Sequence, residues 1–524
     1  MRPIAGRFPS AARLIPRQRR SRCQSDRRHA VTAVVVGMAL LASLEPRRSA
    51  AADPAPDPAE VVAAMKKATA YYSDTLAVHG GYASSWKRDG KRDGFVGETE
   101  HSRSRTVISI QPPGTTTVGL ALVKAYAATG DRQFLEAAAA AAGALVECQL
   151  ASGGWHSDFD FAEDQAKRFW LHRQVLSGDT VQGKRRNAST LDDDKTQSAL
   201  LFLTELAHVP ESSGDKPLQE AVRFGLDSLV AAQFPNGGWP QQYNGPADPK
   251  ASVKPASYPD TWPRTWPDVN YHGFYTLNDG NLDRVAAVML RAHELTKNAA
   301  YLASAKKLGD FLILAQMPDP QRAWAQQYDG DMHPVWARKF EPPSVTGGES
   351  IGAMETLHNL YVVTGDAKYL APLADALAWY ERSALPDGSY ARFYELKTNK
   401  PLYFVKDTYE LTYDDANLPT HYGFKLDHVA RHLASLRQRL QEPREKLLAD
   451  RAEPTTEKSW TSRAKGAIGK VWDALKTRNA DGVWVKGDRI DAGEFTKHVT
   501  VMARYVEAAR KGGREFKKLR DAGK

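Results

Sequence analysis

Cysteine is nearly absent: the chain has two in 524 residues, Cys23 and Cys148. Cys23 falls within an N-terminal leader, so Cys148 stands alone, which excludes a disulfide framework and a cysteine-based metal site within one mature chain. Cys148 follows Leu145 and Val146 in a helical pattern and reads as a small buried hydrophobe. A membrane-length apolar run is missing too. The run at 30–44 is short for a span, has eleven arginines before and beside it, and is followed by Ala50-Ala51-Ala52. It reads as a secretory signal over residues 1–52, which places the mature protein outside the cytoplasm, secreted or periplasmic. The Arg27-Arg28 pair hints at twin-arginine export. Without that leader the excess positive charge disappears. The leader holds 11 Arg and 2 acids, leaving 60 basic and 60 acidic side chains. The formal charge of +9 therefore gives no reason to expect a nucleic-acid partner, or a membrane one after cleavage. Long Gly/Ser or Pro-rich linkers are lacking as well, so one domain is expected over 53–509, followed by a basic tail at 510–524. The polar stretch 441–459 reads as a looser excursion from it, and the mature protein as a monomer.

What the chain does have is repetition. Gly-Gly-Tyr82, Gly-Gly-Trp155, Gly-Gly-Trp239, Trp324, Gly-Ser-Tyr390 and Gly-Val-Trp484 each follow a helix-like stretch, at gaps of 73, 84, 85, 66 and 94 residues. A second signal recurs between paired helices. Thr129-Gly130-Asp131 leads to Phe134-Leu135, Thr296-Lys297-Asn298 to Tyr301-Leu302, and Thr364-Gly365-Asp366 to Tyr369-Leu370. Gly or Asn there supplies the left-handed residue that ends one helix. Helical hairpins that cannot bury their apolar faces alone close best into an all-α fold, an incomplete α/α toroid, with the loops that lead into each hairpin on one face.

Those lead-in loops carry the polar chemistry. Thr190-Leu191-Asp192-Asp193-Asp194 precedes one hairpin, and Thr276-Leu277-Asn278-Asp279 the next, 86 residues later. Asp and Thr before a helix are cap residues, but one acid is enough for a cap, and three in a row ask for a cation or a shared proton. Oxygen donors from separate segments, without His or Cys, favour a hard cation such as Ca²⁺. Arg338 and Arg392 lie near the later lead-ins, where they can bind an acidic ligand or pair with Glu341 and Glu395. Trp155, Trp239, Tyr243, Trp324 and Tyr394 can stack on sugar faces or plug the seams between hairpins; Trp239 and Tyr394 are the candidate substrate contacts among them. His272 and His421, beside aromatic residues, read as structural.

In this order the motifs resemble the pectate lyases of polysaccharide lyase family 10, the pectic acid lyases. The resemblance runs from Gln111-Pro112-Pro113-Gly114-Thr115 to Gly423. It includes Gly237-Gly238-Trp239-Pro240-Gln241-Gln242-Tyr243, Pro343-Ser344-Val345-Thr346-Gly347-Gly348-Glu349 and Ala391-Arg392-Phe393-Tyr394-Glu395. It implies an α/α toroid that cleaves polygalacturonate, an acidic polysaccharide, by Ca²⁺-assisted β-elimination with an arginine as base. By position it implies Arg338 as that base and Asp192 and Asp279 as the calcium carboxylates. It implies Thr190, Asp193 and Arg392 at the substrate, and puts Lys406 where the family has a second arginine. The family usually reads Thr-Ile-Asp-Asn where this chain has Thr190-Leu191-Asp192-Asp193, an added negative charge that tightens Ca²⁺ and repels a polyanion. A further departure is segment 245–268, rich in Pro and Trp, which stands to cover the groove.

Three other readings share the toroid. A glycoside hydrolase needs two carboxylates flanking one bond, which Asp192 with Glu349 or Glu395 can supply. A non-catalytic polysaccharide binder would keep the aromatics and tolerate loss of Arg338. The Gln149-x-x-x-Gly153-x-Trp155 signature, repeated at Gln233-x-x-x-Gly237-x-Trp239, also resembles terpene cyclases, against which export and the polar turns argue.

Overall fold

A computed structural model of the chain describes residues 53–88 and 106–522. The leader expected at 1–52 lies outside them. Helix α1 (Pro58–Tyr71) opens on Asp57, whose carboxylate accepts the Ala59 N–H at 3.1 Å, with proline at its first position. Next come α2 (Thr115–Thr129), α3 (Arg132–Cys148) and two short helices, α4 (Glu163–Ala166) and α5 (His172–Leu176). The middle of the chain holds α6 (Lys195–Ala207), α7 (Lys216–Ala231), α8 (Asn281–Thr296), α9 (Ala299–Ala315), α10 (Glu349–Thr364) and α11 (Ala371–Ser383). The last third adds α12 (Val429–Leu440), α13 (Arg444–Arg451), α14 (Glu457–Lys465), α15 (Ile468–Lys476) and α16 (Ala492–Asp521).

The repeated turn explains the hairpins. In each copy the threonine hydroxyl donates to a carbonyl one turn back, those of Ala125, Ala292 and Leu360. The middle residue is left-handed, with φ of 72° at Gly130, 61° at Lys297 and 76° at Gly365. The third residue caps the second helical segment of its hairpin: Asp131 accepts from Gln133 N–H, Asn298 from Ala300 and Asp366 from Lys368. The left-handed position in the second copy is therefore Lys297, and the asparagine expected there does the capping instead.

Helices α16, α2, α6, α8, α10 and α12 pack side by side in that order, and α3, α7, α9 and α11 lie outside their hairpin partners. The sequence matches the layers. Eleven of the thirteen residues of α6 are buried, as an inner helix requires, whereas α7 buries one stripe, Leu218, Ala221, Val222, Gly225, Leu226 and Leu229. This is an α/α toroid of repeated hairpins. One expectation for the C-terminal third is corrected. The polar stretch 441–459 forms α13 and the start of α14. The basic segment beyond 509 continues α16, kinked at Gly513, with Phe516 buried against Tyr505. Apolar groups spaced along that charged stretch give it a face to pack. Cys148 is buried and free, as expected.

The aromatic turns are plugs. Trp155, Trp239, Trp324 and Trp484 are each at most 2% exposed. Each donates its indole N–H back to the preceding helix, at the carbonyls of Leu145 (2.9 Å), Leu229 (2.8 Å), Leu312 (2.7 Å) and Ala474 (2.9 Å). The Tyr394 hydroxyl does the same to Ser383. Trp239 and Tyr394 thus lie inside the protein and offer no face to a sugar, which corrects their expected role as substrate contacts. Their turns do other work. The backbone carbonyls of Trp155, Trp239 and Trp324 accept the N–H groups of Thr190, Thr276 and Thr346, one residue in each following lead-in loop. Short antiparallel pairs, Ser189–Thr190 with Gln242–Tyr243 and Tyr275–Thr276 with Gln327–Tyr328, tie each lead-in to the next turn along. The lead-in loops are thereby stitched together at one end of the toroid.

Candidate active site

The two acidic lead-ins adopt one conformation. Asp193 has φ 50° and ψ 35°, and Asp279, 86 residues on, has φ 53° and ψ 26°. Asp194 and Gly280 come next, in the left-handed region at φ 63° and 70°. Short polar side chains tolerate that region better than most, and Gly tolerates it fully. Buried Leu191 and Leu277 anchor the two turns, and the turns pack against each other. None of these acids caps a helix: neither α6 nor α8 receives a side-chain hydrogen bond at its N-terminus from the described residues. That removes the capping explanation for the acid run.

Instead Asp192, Asp193 and Asp279 converge, each offering a carboxylate oxygen within 4.8 Å of the others. At that separation and an effective dielectric of about 20, each pair repels by roughly 3 kcal/mol, more than an exposed ion pair returns. Buried Lys195 offsets part of this, its Nζ 3.1 Å from Asp192 and 3.4 Å from Asp193. Gln241 donates to Asp192 at 3.1 Å and is itself fixed by His272 Nδ1 at 2.8 Å. Gln111 donates to Asp193 at 3.2 Å, and Asn278 to Asp279 at 2.7 Å. Asp279 is pushed up to about 7, by burial first and then by Asp193, Glu349 and Asp192, with Arg338 opposing. Asp194 stands outside the trio, with Arg284 at 3.8 Å, and burial pushes it up to about 6.

Two arginines border the cluster. Arg338 is held by Glu341, which accepts from Nε at 2.8 Å, from an Nη at 2.5 Å and from the Arg338 backbone N–H at 3.1 Å. Its guanidinium also stands 3.9 Å from Asp279. Burial works against the charged form, but Glu341 outweighs it and lifts Arg338 above an ordinary arginine. Arg392 donates to the Gly423 carbonyl at 2.7 Å, lies 3.4 Å from Glu349, and packs over the Tyr422 ring at 4.4 Å. The Tyr422 hydroxyl donates to Glu341 at 3.1 Å, so one phenol links both arginine sites. Among the described residues, five carboxylates (Asp192, Asp193, Asp279, Glu341, Glu349) face three cations (Lys195, Arg338, Arg392) around this centre.

The structure thus brings together Asp192, Asp193, Asp279, Arg338 and, through Glu349, Arg392. Thr190 is buried, and its hydroxyl accepts the Asp192 N–H at 3.2 Å. It shapes the aspartate turn and has no surface for substrate, a correction to its expected role. Lys406 is exposed, its backbone N–H bonded to Asn417, and among the described residues no ion pair joins it to the cluster. Glu395 is engaged by Arg264 at 2.7 Å, by Tyr413 and by Thr398, which leaves it unsuited as one of a hydrolase's carboxylate pair. Sequence reasoning missed Lys195, Gln241 and Tyr422. The Lys195 signal was available, a lone cation directly after three acids. Tyr422 gave none, because its role depends on a chain crossing.

The donor set fits a hard divalent cation. All three converging groups are carboxylates from two turns, and neighbouring Asn278 holds a buried Oδ1 with no hydrogen-bond partner among the described residues.

A family model described as pectic acid lyase matches residues 160–424. Among proteins with curated descriptions, none matches. Of solved structures, the family 10 polysaccharide lyase of Cellvibrio cellulosa is 19% identical with a TM-score of 0.42, covering 61% of this chain and 96% of that one. A mutant of that lyase in complex with trigalacturonic acid gives 19% identity and a TM-score of 0.42, over 57% and 92%. Cellobiose 2-epimerase from Bacillus thermoamylovorans gives 13% and 0.43, over 86% and 98%.

Proposed function

The chain belongs to the pectic acid lyase family, and from that premise we propose that it cleaves an acidic polysaccharide of uronate units, such as polygalacturonate, outside the cytoplasm by Ca²⁺-assisted β-elimination. The observation that carries this reading is the meeting of Asp192, Asp193 and Asp279 with Arg338, 3.9 Å from Asp279. In β-elimination the C5 proton leaves, its electron pair forms the C4–C5 double bond, and the C4–O bond breaks, with water protonating the departing oxygen. C5 is acidic only because charge can spread into the adjacent carboxylate, so positive charge there lowers the barrier. Ca²⁺, when bound by Asp192, Asp193 and Asp279, supplies such charge to the uronate carboxylate.

This chain's own residues do the rest. Lys195 offsets the repulsion between Asp192 and Asp193, its Nζ lying 3.1 and 3.4 Å from them. Arg392, oriented by Glu349 and the Gly423 carbonyl, binds a substrate carboxylate. Arg338 takes the C5 proton. At pH 9 a neutral guanidinium costs about 5 kcal/mol or more, and the Glu341 pair adds to that. The reaction is therefore expected to run best in the alkaline range.

The test is incubation with polygalacturonate and Ca²⁺ while following absorbance of the unsaturated product. New reducing ends without that absorbance would make the protein a hydrolase, and neither signal would leave a binder. A chelator without effect would remove the calcium claim. Full rate in Arg338→Ala would remove the base.

A further inference from the structure

Trp336, two residues before Arg338 in the chain, lines a cavity of about 290 Å³ that the elimination chemistry does not use. Segment 245–268 builds one wall and the irregular stretch 329–336, before Arg338, the other. Trp262 and Trp336 meet at a corner, ring centroids 6.3 Å apart and planes at 59°. Pro259 and Val335 extend the apolar surface, and Asp329 and His333 supply the polar edge, 3.9 Å apart. The segment is fastened down. Trp336 donates its indole N–H to the Pro263 carbonyl at 2.8 Å, and Trp266 donates to Ala337 at 2.7 Å. Arg264 pairs with Glu395 at 2.7 Å and covers the Trp262 ring at 4.2 Å. The segment walls a pocket of its own.

We propose that this cavity is a subsite for one sugar unit of the polysaccharide chain, a pyranose whose C6 group is uncharged, as in a methyl-esterified uronate. The inference rests on the elimination reading for the identity of the chain. Its size suits one ring and not several. The half-buried Trp262 indole and the prolines meet the C–H faces of a pyranose, with buried Trp336 backing them from below, while Asp329 and His333 are placed for hydroxyls. Charge makes the selection. Among the described residues no Lys or Arg lines the cavity, and its one acidic group is Asp329. An ionised uronate would bring a second carboxylate against that one in an apolar surround, whereas an ester or a neutral sugar would not. Position adds continuity, since Trp336 lies two residues before Arg338. The protein would then read charge at the cation cluster and absence of charge one step away.

The experiment compares fully de-esterified polygalacturonate with a partially methyl-esterified sample of equal length, by kcat/KM and by quenching of intrinsic tryptophan fluorescence. The wild type should favour the esterified polymer at least about threefold, through KM. Trp262→Ala should bring the ratio to about one. Asp329→Asn, which keeps an oxygen for the turn, should improve KM for the de-esterified polymer relative to the esterified one about twofold or more. A wild-type ratio of one or below overturns the proposal, and so does an unchanged ratio in both variants. If neither polymer is cleaved, the elimination reading fails, while the fluorescence titration with the same two polymers still decides the subsite.

Discussion

Glu341 grips Arg338 at three points, two on the guanidinium and one on its own backbone N–H, while the Glu341 side chain is only 1% exposed. The arginine assigned to proton removal is therefore held in its protonated form by its nearest neighbour. Replacing Glu341 with Gln keeps the shape and removes the charge that lifts the Arg338 pKa. The alkaline rise of kcat should move to lower pH by about one unit. A profile that stays in place in Glu341→Gln would mean that Arg338 is not the titrating base.

The carboxylate trio should behave as a ligand-linked site. Ca²⁺ at a hundredfold excess over its Kd should add about 2–3 kcal/mol to unfolding stability in wild type. In the double variant Asp192→Asn, Asp279→Asn the added stability should vanish, while the metal-free variant should be no less stable than the metal-free wild type, because repulsion is relieved. Calorimetry with and without chelator reads both. Equal Ca²⁺ stabilisation of variant and wild type would place the ion elsewhere.

Trp239 is fully buried and bonded to Leu229. Trp239→Ala should cost about 3–5 kcal/mol by leaving a cavity and an unpaired carbonyl. Trp239→Phe should be milder and leave KM for polysaccharide unchanged. A raised KM in a stably folded Trp239→Phe protein would restore the substrate-contact reading.

His358 on α10 is 1% exposed, and neither ring nitrogen has a hydrogen-bond partner among the described residues. Burial first, then the Arg439 and Arg451 charges, lower it to about 4, opposed by the nearby Arg439 backbone and then by Glu355. The folded protein keeps this ring neutral, while the unfolded chain protonates it near 6.5. The stability from this group is thus fully present above about pH 6.5 and lost as pH falls toward 4, by up to about 3 kcal/mol. Urea unfolding at stepped pH should show that slope, flattened in His358→Leu. Identical slopes in both proteins would rule the group out.

The fold was legible where the signal was local. Thr-Gly-Asp turns and Gly-x-Trp spacing marked the hairpins because each depends on a few neighbouring residues. The acid run was legible as too much charge for a cap, and its match to Thr276-Leu277-Asn278-Asp279 pointed to the partner turn. What sequence could not supply was direction. Trp239 and Tyr394 look alike as plugs or platforms until the helix carbonyls that take their polar hydrogens are placed. Lys297 in a left-handed position defeated residue preference, because the turn was fixed by the threonine before it and the asparagine after it. Tyr422 became part of the site through a chain crossing that leaves no periodic trace.

The stitching of each lead-in loop to its neighbours bears on how such a molecule can change over evolutionary time. One hairpin repeat carries only part of the carboxylate trio, Asp192 with Asp193 or Asp279 alone. The chemistry resides at the seam between consecutive repeats. A gained or lost repeat there would not lengthen or shorten the protein neutrally; it would create or erase a binding centre in one event.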